Sequence, residues 1–392
     1  MIQMDWIIVI WLLPAVAFAG WLWGRRSLRL SEANNKNRIH PEYFKGLNYV
    51  LNEQPDKAIE VFVKMLEVDS ETVETHLALG NLFRRRGEVD RAIRIHQNLI
   101  ARPTLSKDQR VHALLELGMD YMRSGLLDRA ESLFKELIET GSYTTEAYSE
   151  LLEIYQQEKD WENAISTARK LELVAGISLN PVIAQYYCEQ AEELLRKGQT
   201  ADAKNNLRKA LHIDPECTRA SLIEANMLYR SDKIKQAIKI YKHIEKQDAE
   251  YIPEAVVPLF QCYQKLGKLD EYMDYLHEVV EKHGGITPML MLAKLIAENK
   301  GENDAVKYIA NELRKRPTVR GVDRMIEYAL SRAEGDTREN LITIKDLTGK
   351  LLKDRPVYKC VQCGFDAKSL HWQCPSCKNW NTVKPVHGVE GE

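Results

Sequence analysis

The chain repeats itself, and that constrains its fold more than any other property. Sliding the sequence along its own length brings like residues into register about every 34 positions over roughly residues 40–317. Gly46, Gly80 and Gly118 are each followed three residues later by an aromatic ring, Tyr49, Phe83 and Tyr121. An alanine stands twelve residues after each glycine: Ala58, Ala92 and Ala130. Phe62 and Phe134 come four residues later in the first and third units, with His96 in the second. The same marks continue at Leu152, Tyr155 and Ala164, at Ala191, Leu194 and Ala203, and at Ala225, Leu228 and Ala237. Phe260 and Tyr263 belong to a divergent unit, and Ala293, Ile296 and Ala305 complete the series. Longer steps absorb loops near 105–109 and 175–180.

Each unit reads as a pair of helices whose apolar face cannot be buried without a neighbour, so the units must stack. Small residues at the glycine and alanine positions let paired helices approach, while the aromatics fill the space between them as core. Gly87, Gly125, Gly198, Gly267 and Gly301 recur where the chain must turn, and Pro215 and Pro317 follow the second helix of a pair. A last helical pair, near 319–334 and 337–353, lacks these marks and caps the array. The G-x-x-Y…A-x-x-x-F…P scheme resembles the tetratricopeptide repeat, with about eight units. That resemblance implies a right-handed superhelix with a concave face suited to a protein segment; periodicity alone implies only a solenoid.

A second signal lies near the C-terminus, in YKCVQCGFDAKSLHWQCPSCKNWNTVKP. Cys360 and Cys363 form one C-x-x-C and Cys374 and Cys377 another, with ten residues between them. Two such loops together supply four thiolates, enough for one tetrahedral metal ion, and the spacing suits zinc or iron equally. Gly364 permits the left-handed turn that tightens the first loop. From Arg355 to Lys384 there are five basic residues against one acid, Asp366, and this surplus favours the deprotonated sulfurs. A module of about 30 residues buries too little core to stand alone, so the metal is expected to supply much of its folding energy. His371 reads as a surface or packing residue, and Trp372 and Trp380 are expected to cover the module's small core.

The other end predicts a membrane. Residues 6–23 are 18 positions without a charge, about 27 Å of helix and enough for a hydrocarbon core. Trp6 marks one edge and Trp21 and Trp23 the other, where amphipathic rings favour the interface. Arg25 and Arg26 follow directly, which places the bulk of the chain on the cytoplasmic side. A cleaved signal peptide is the competing reading, since Ala15-Val16-Ala17 and Ala17-Phe18-Ala19 both fit a cleavage pattern. Against it, no Lys or Arg precedes the apolar run, which continues past both sites. The expected organisation is an anchor at 1–26, a juxtamembrane linker at 27–39, repeats and caps at 40–354, and a rubredoxin-like or zinc-ribbon module with tail at 355–392. The fold class is all-α: a tetratricopeptide superhelical solenoid with an N-terminal transmembrane helix and a small four-cysteine metal ribbon.

Known phosphate-loop, dinucleotide, zincin and nucleophile-elbow motifs do not occur in the sequence, so a non-enzymatic role is expected. The 55 Lys and Arg against 57 Asp and Glu leave a net charge of −2, with no basic excess to argue for nucleic-acid binding. The remaining cysteines, Cys188, Cys217 and Cys262, are widely separated in helical segments and do not suggest a disulfide framework. Arg84, Arg85 and Arg86 form the densest charge run in the repeats. They are candidate contacts for an acidic partner or a phosphate-bearing lipid head group; the plainer alternative is a solvated helix end.

Anchor, repeats and ribbon in this order resemble the lipopolysaccharide assembly protein B family of Gram-negative bacteria. True rubredoxins space their cysteine pairs more widely than this chain does, which favours a compact ribbon over electron transfer. The resemblance implies a single-pass inner-membrane adaptor. Its partners would be a membrane-bound ATP-dependent metalloprotease, the deacetylase of the lipid A pathway and other inner-membrane proteins that regulate lipopolysaccharide. A scaffold for lipopolysaccharide synthesis and export enzymes and a rubredoxin-like electron carrier are the alternatives, and homo-oligomerisation is left open.

Overall fold

The computed structural model describes residues 41–52, 54–68, 73–353, 355–389 and 391. The expected membrane span, with Trp6, Trp21, Trp23, Arg25 and Arg26, lies outside the described residues. No described helix is long and apolar enough to cross a membrane. The described residues form two compact units that divide between Ile154 and Tyr155.

The first unit contains α1 (Pro41–Leu51), α2 (Pro55–Val68), α3 (Val73–Arg86), α4 (Val89–Ile100), α5 (Lys107–Ser124), α6 (Leu127–Thr140) and most of α7 (Thr144–Glu158). The second begins at the end of α7. It continues through α8 (Trp161–Ala175), α9 (Asn180–Arg196), α10 (Thr200–Ile213), α11 (Thr218–Arg230), α12 (Ile234–Gln247) and a 3₁₀ turn at Ala249–Tyr251. Then follow α13 (Ile252–Leu266), α14 (Leu269–Lys282), α15 (Ile286–Lys300), α16 (Glu302–Lys315), α17 (Val319–Leu330) and α18 (Gly335–Lys353). The last pair falls where the sequence places a final helical pair without the repeat's marks. This is an all-α tetratricopeptide solenoid with a C-terminal ribbon.

Local chemistry sets the helix ends. At the start of α5, Ser106 Oγ accepts the Gln109 amide while the Gln109 side chain accepts the Ser106 amide, each at 3.2 Å, so two otherwise unpaired donors are satisfied. Asp160 and Thr318 cap α8 and α17 with a single side-chain acceptor each, taking the amides of Asn163 and Gly321 at 3.1 Å.

The repeat spacing has a steric origin. A Cβ on Gly46 would stand 2.6 Å from the Phe62 ring, one on Gly80 2.4 Å from His96, and one on Gly118 2.6 Å from Phe134. The ring sixteen residues after each glycine thus occupies the space a side chain would fill. Phe62, His96 and Phe134 are fully buried. A Gly118→Val substitution is therefore expected to lower stability by about 2–3 kcal/mol through overpacking, read as a shift in the urea midpoint, and Phe134→Leu should restore part of it. An unchanged midpoint for the single variant would contradict this origin of the spacing.

After α18 the chain forms a three-stranded antiparallel sheet of β1 (Tyr358–Cys360), β2 (Asp366–Ala367) and β3 (Val383–Pro385), in the order β2-β1-β3. Its own core is Cys360, Cys374 and Val383, with Tyr358, Phe365 and Cys377 packed around them.

Candidate metal centre and its seat on the repeats

The two cysteine loops are built alike. In the first, the Gly364 amide donates to the Cys360 carbonyl at 3.0 Å, and the Cys360 amide donates to the Phe365 carbonyl at 2.8 Å. In the second, Lys378 donates to Cys374 and Cys374 donates to Asn379, both at 2.9 Å. Gly364 (φ 76°) and Lys378 (φ 59°) hold the same left-handed position, so glycine is used in one loop and lysine in the other. The turn after the second pair is left-handed again at Asn381.

This geometry brings the four sulfurs within 4.8 Å of one another. Cys360 and Cys377 are 3.7 Å apart, and Cys363 and Cys374 are 3.6 Å apart. A tetrahedral ion with bonds of about 2.3 Å requires sulfurs about 3.8 Å apart. The donor set therefore fits one metal ion held by Cys360, Cys363, Cys374 and Cys377. Burial opposes ionisation of Cys360, yet the Thr382 hydroxyl and the amides of Cys363 and Gln362 bring that thiol down to about 6. Burial pushes Cys374 up to about 11, although the amides of Cys377 and Ser376 work the other way. A cation held by the four sulfurs would have to displace that proton.

The tryptophans correct one expectation. Trp372 and Trp380 do not cover the ribbon's core; they face the repeats. Trp380 meets Trp161 and Tyr186 edge-on, with ring centres at 6.3 and 5.8 Å, and its indole N–H donates to Gln156 Oε1 at 2.8 Å. Trp372 lies 5.2 Å from the Tyr251 ring and joins the large core of the second unit together with Leu370. The Arg219 guanidinium lies near both indoles, 5.8 Å from Trp372 and 6.0 Å from Trp380. That arginine is 3% exposed and is held by Glu189 at 2.8 Å and Glu192 at 3.2 Å.

Polar contacts complete the seat. Tyr251 donates to Asn381 at 2.7 Å, and Tyr358 donates to Glu254. Lys384 pairs with Asp248 at 2.5 Å and Glu250 at 3.2 Å above the Tyr251 ring. Beyond the sheet, the Val319 amide at the start of α17 donates to the Val389 carbonyl at 2.8 Å. Among the rings of this seat the sequence singles out only the two tryptophans, and those as cover for the ribbon's own core; Arg219, Tyr251, Tyr186 and Trp161 carry none of the repeat's marks.

A family model described as the rubredoxin metal binding domain matches residues 358–385, which hold all three strands and all four cysteines. Tetratricopeptide repeat models match residues 75–109 and 194–255, and a PPR repeat model matches 120–142. Over 381 residues the chain is 38% identical to lipopolysaccharide assembly protein B of Escherichia coli, covering 97% of this chain and 98% of that protein. It is 36% identical over 389 residues to the protein of the same name from Haemophilus influenzae, again covering 97% and 98%. The chain belongs to the lipopolysaccharide assembly protein B family. In this family member the metal module is packed directly onto its own repeats.

The arginine run of this lipopolysaccharide assembly protein B family member is divided by its surroundings. Arg84 donates to Asp120 at 2.8 Å and to Glu116 at 2.7 Å, inside the first unit. Asp120 also meets His96 Nδ1 at 2.5 Å, so the histidine in a phenylalanine slot is a buried core residue with an acidic partner. Burial works against ionising Glu116, but His112, Arg84 and Asn81 overcome it and hold that carboxyl at about 2. Arg86 pairs with Asp56 and, at 3.0 Å, with Glu88. Arg85 is exposed.

Proposed function

We propose that the chain is a membrane-tethered adaptor that regulates lipopolysaccharide synthesis. Its curated relatives are named for lipopolysaccharide assembly, and the family match runs through nearly the whole chain. The observation that carries the reading is the seat of the ribbon: Trp372, Trp380 and Lys384 spend the module's surface on Arg219, Tyr251 and Asp248. A metal centre fastened in this way serves as a clamp on a protein-binding array, and an adaptor needs no catalytic set.

The rest of the reading follows from the layout. Residues 6–23 cross the inner membrane, with Trp6, Trp21 and Trp23 at its faces and Arg25 and Arg26 in the cytoplasm. The repeats and ribbon hold the deacetylase that commits carbon to lipid A, and the anchor brings it to a membrane-bound ATP-dependent metalloprotease. Confinement beside the protease raises effective concentration without any new contact. Other inner-membrane proteins set how often the adaptor is engaged. Arg85 is available to an acidic partner, whereas Arg84 and Arg86 act through the local charge network.

Deleting residues 1–23 is expected to lengthen the deacetylase half-life severalfold in cells while leaving a folded, soluble protein. Half-life is read by pulse-chase and folding by circular dichroism. Normal turnover with that variant overturns the tethered-adaptor reading and leaves a scaffold for synthesis and export enzymes.

A further inference from the structure

Cys188 and Cys217, widely separated in sequence, meet in space. Cys188 is on α9 and Cys217 is the N-cap of α11. Their sulfurs are 3.8 Å apart within a buried apolar cluster that includes Ala184, Ala203, Leu207 and Ala220. No third ligand atom joins them: among the described residues, the one group of three or more potential metal ligands is the ribbon's. Cys262 is buried separately, in the core centred on α13. The geometry therefore favours sulfur–sulfur chemistry, since a disulfide needs the two atoms to close to about 2.05 Å.

The two thiols are unequal. The hydrogen bond from Cys188 holds Cys217 below the ordinary thiol range against burial, and the Ala220 amide and Arg219 charge act in the same direction. Burial and that same bond push Cys188 up. Cys217 is thus the better nucleophile and Cys188 the proton holder. Cys217 itself is 2% exposed, and the two residues that immediately precede it, Pro215 and Glu216, are exposed.

We propose that Cys188 and Cys217 form a reversible disulfide when the protein meets a peroxide-class oxidant, and that this bond adjusts the seat of the ribbon. The Cys217 thiolate attacks one peroxide oxygen; an S–O bond forms, the O–O bond breaks, and the departing hydroxide takes up a proton. Cys188 then attacks the sulfenic sulfur, forming the S–S bond. The S–O bond breaks, and hydroxide leaves as water with the Cys188 proton. Two thiols lose two electrons and the peroxide becomes two waters; a dithiol reductant reverses the result. Arg219 lies two residues beyond Cys217 in the same helical turn, and its guanidinium underlies Trp372 and Trp380. Drawing that turn toward α9 moves this support.

The test uses full-length, metal-loaded protein treated with hydrogen peroxide, then stripped of metal, unfolded and alkylated for mass spectrometry. The reduced chain should take seven labels, one per cysteine. The oxidised chain should lose two, yield one linked peptide joining Cys188 to Cys217, and regain both labels after dithiothreitol. Recovery of the two residues as free thiols, or as separate sulfinic acids, overturns the proposal, and this readout needs no variant. In a second arm, transfer of metal to a chelator is timed before and after oxidation. A changed rate in wild type but not in C188A supports the link to the ribbon; an equal rate in linked wild type overturns that link.

Discussion

Removing the metal is expected to detach the ribbon from the repeats while leaving the helices in place. A module of about 30 residues has too little core to fold unaided, and its core consists largely of the ligands themselves. Structural zinc in small finger peptides contributes about 10 kcal/mol or more of folding energy. Without that energy the two cysteine loops lose what holds them, and Trp372, Trp380 and Lys384 are no longer presented together. Chelation should shift tryptophan emission to the red and expose the chain between Lys353 and Lys384 to protease. Helical circular dichroism should change little, since the repeats bury their own apolar faces. Cys374→Ser should reproduce the effect without a chelator. Metal-free protein that keeps its blue-shifted emission and resists cleavage would show that the seat, rather than the ion, folds the ribbon.

Arg219→Ala is expected to cost about 3 kcal/mol and to speed metal release. Its guanidinium is almost fully buried, donates to Gln185 at 3.3 Å, and is paired with Glu189 and Glu192. Truncation leaves those acceptors without their cation and removes the charge beneath two indole rings. Arg219→Lys should lose less but not recover fully, because a point charge cannot reproduce the planar fork. Urea unfolding reports the stability, and timed transfer to a chelator reports the ribbon. A loss of about 0.5 kcal/mol or less, the size seen at ordinary surface sites, would mean that the arginine merely fills space.

The parts legible in the sequence are those whose cause is local. Gly118 and Phe134 are sixteen residues apart because they face each other across one helical hairpin. Cys360, Cys363, Cys374 and Cys377 could be read as one site because each pair lies in a single tight turn and a tetrahedral ion needs four donors. His96 was harder to read. It fills a phenylalanine slot, and its acidic partner, Asp120, comes from the next hairpin. Cys188 and Cys217 looked unrelated because they belong to different hairpins, yet stacking brings their sulfurs to 3.8 Å.

The ribbon's placement lay further out of reach. Trp380 finds Gln156, Trp161 and Tyr186 some two hundred residues earlier in the chain, and nothing periodic distinguishes those residues from other core positions. Residue spacing within one turn or one hairpin is enough to specify a stack of helical hairpins and a four-sulfur site. That the metal module rests on the repeats, and that Arg84 is internally paired, follows only from the folded array. Such contacts depend on which surfaces the folded array brings face to face, and apolar burial and charge pairing leave no mark of their partner in the linear order.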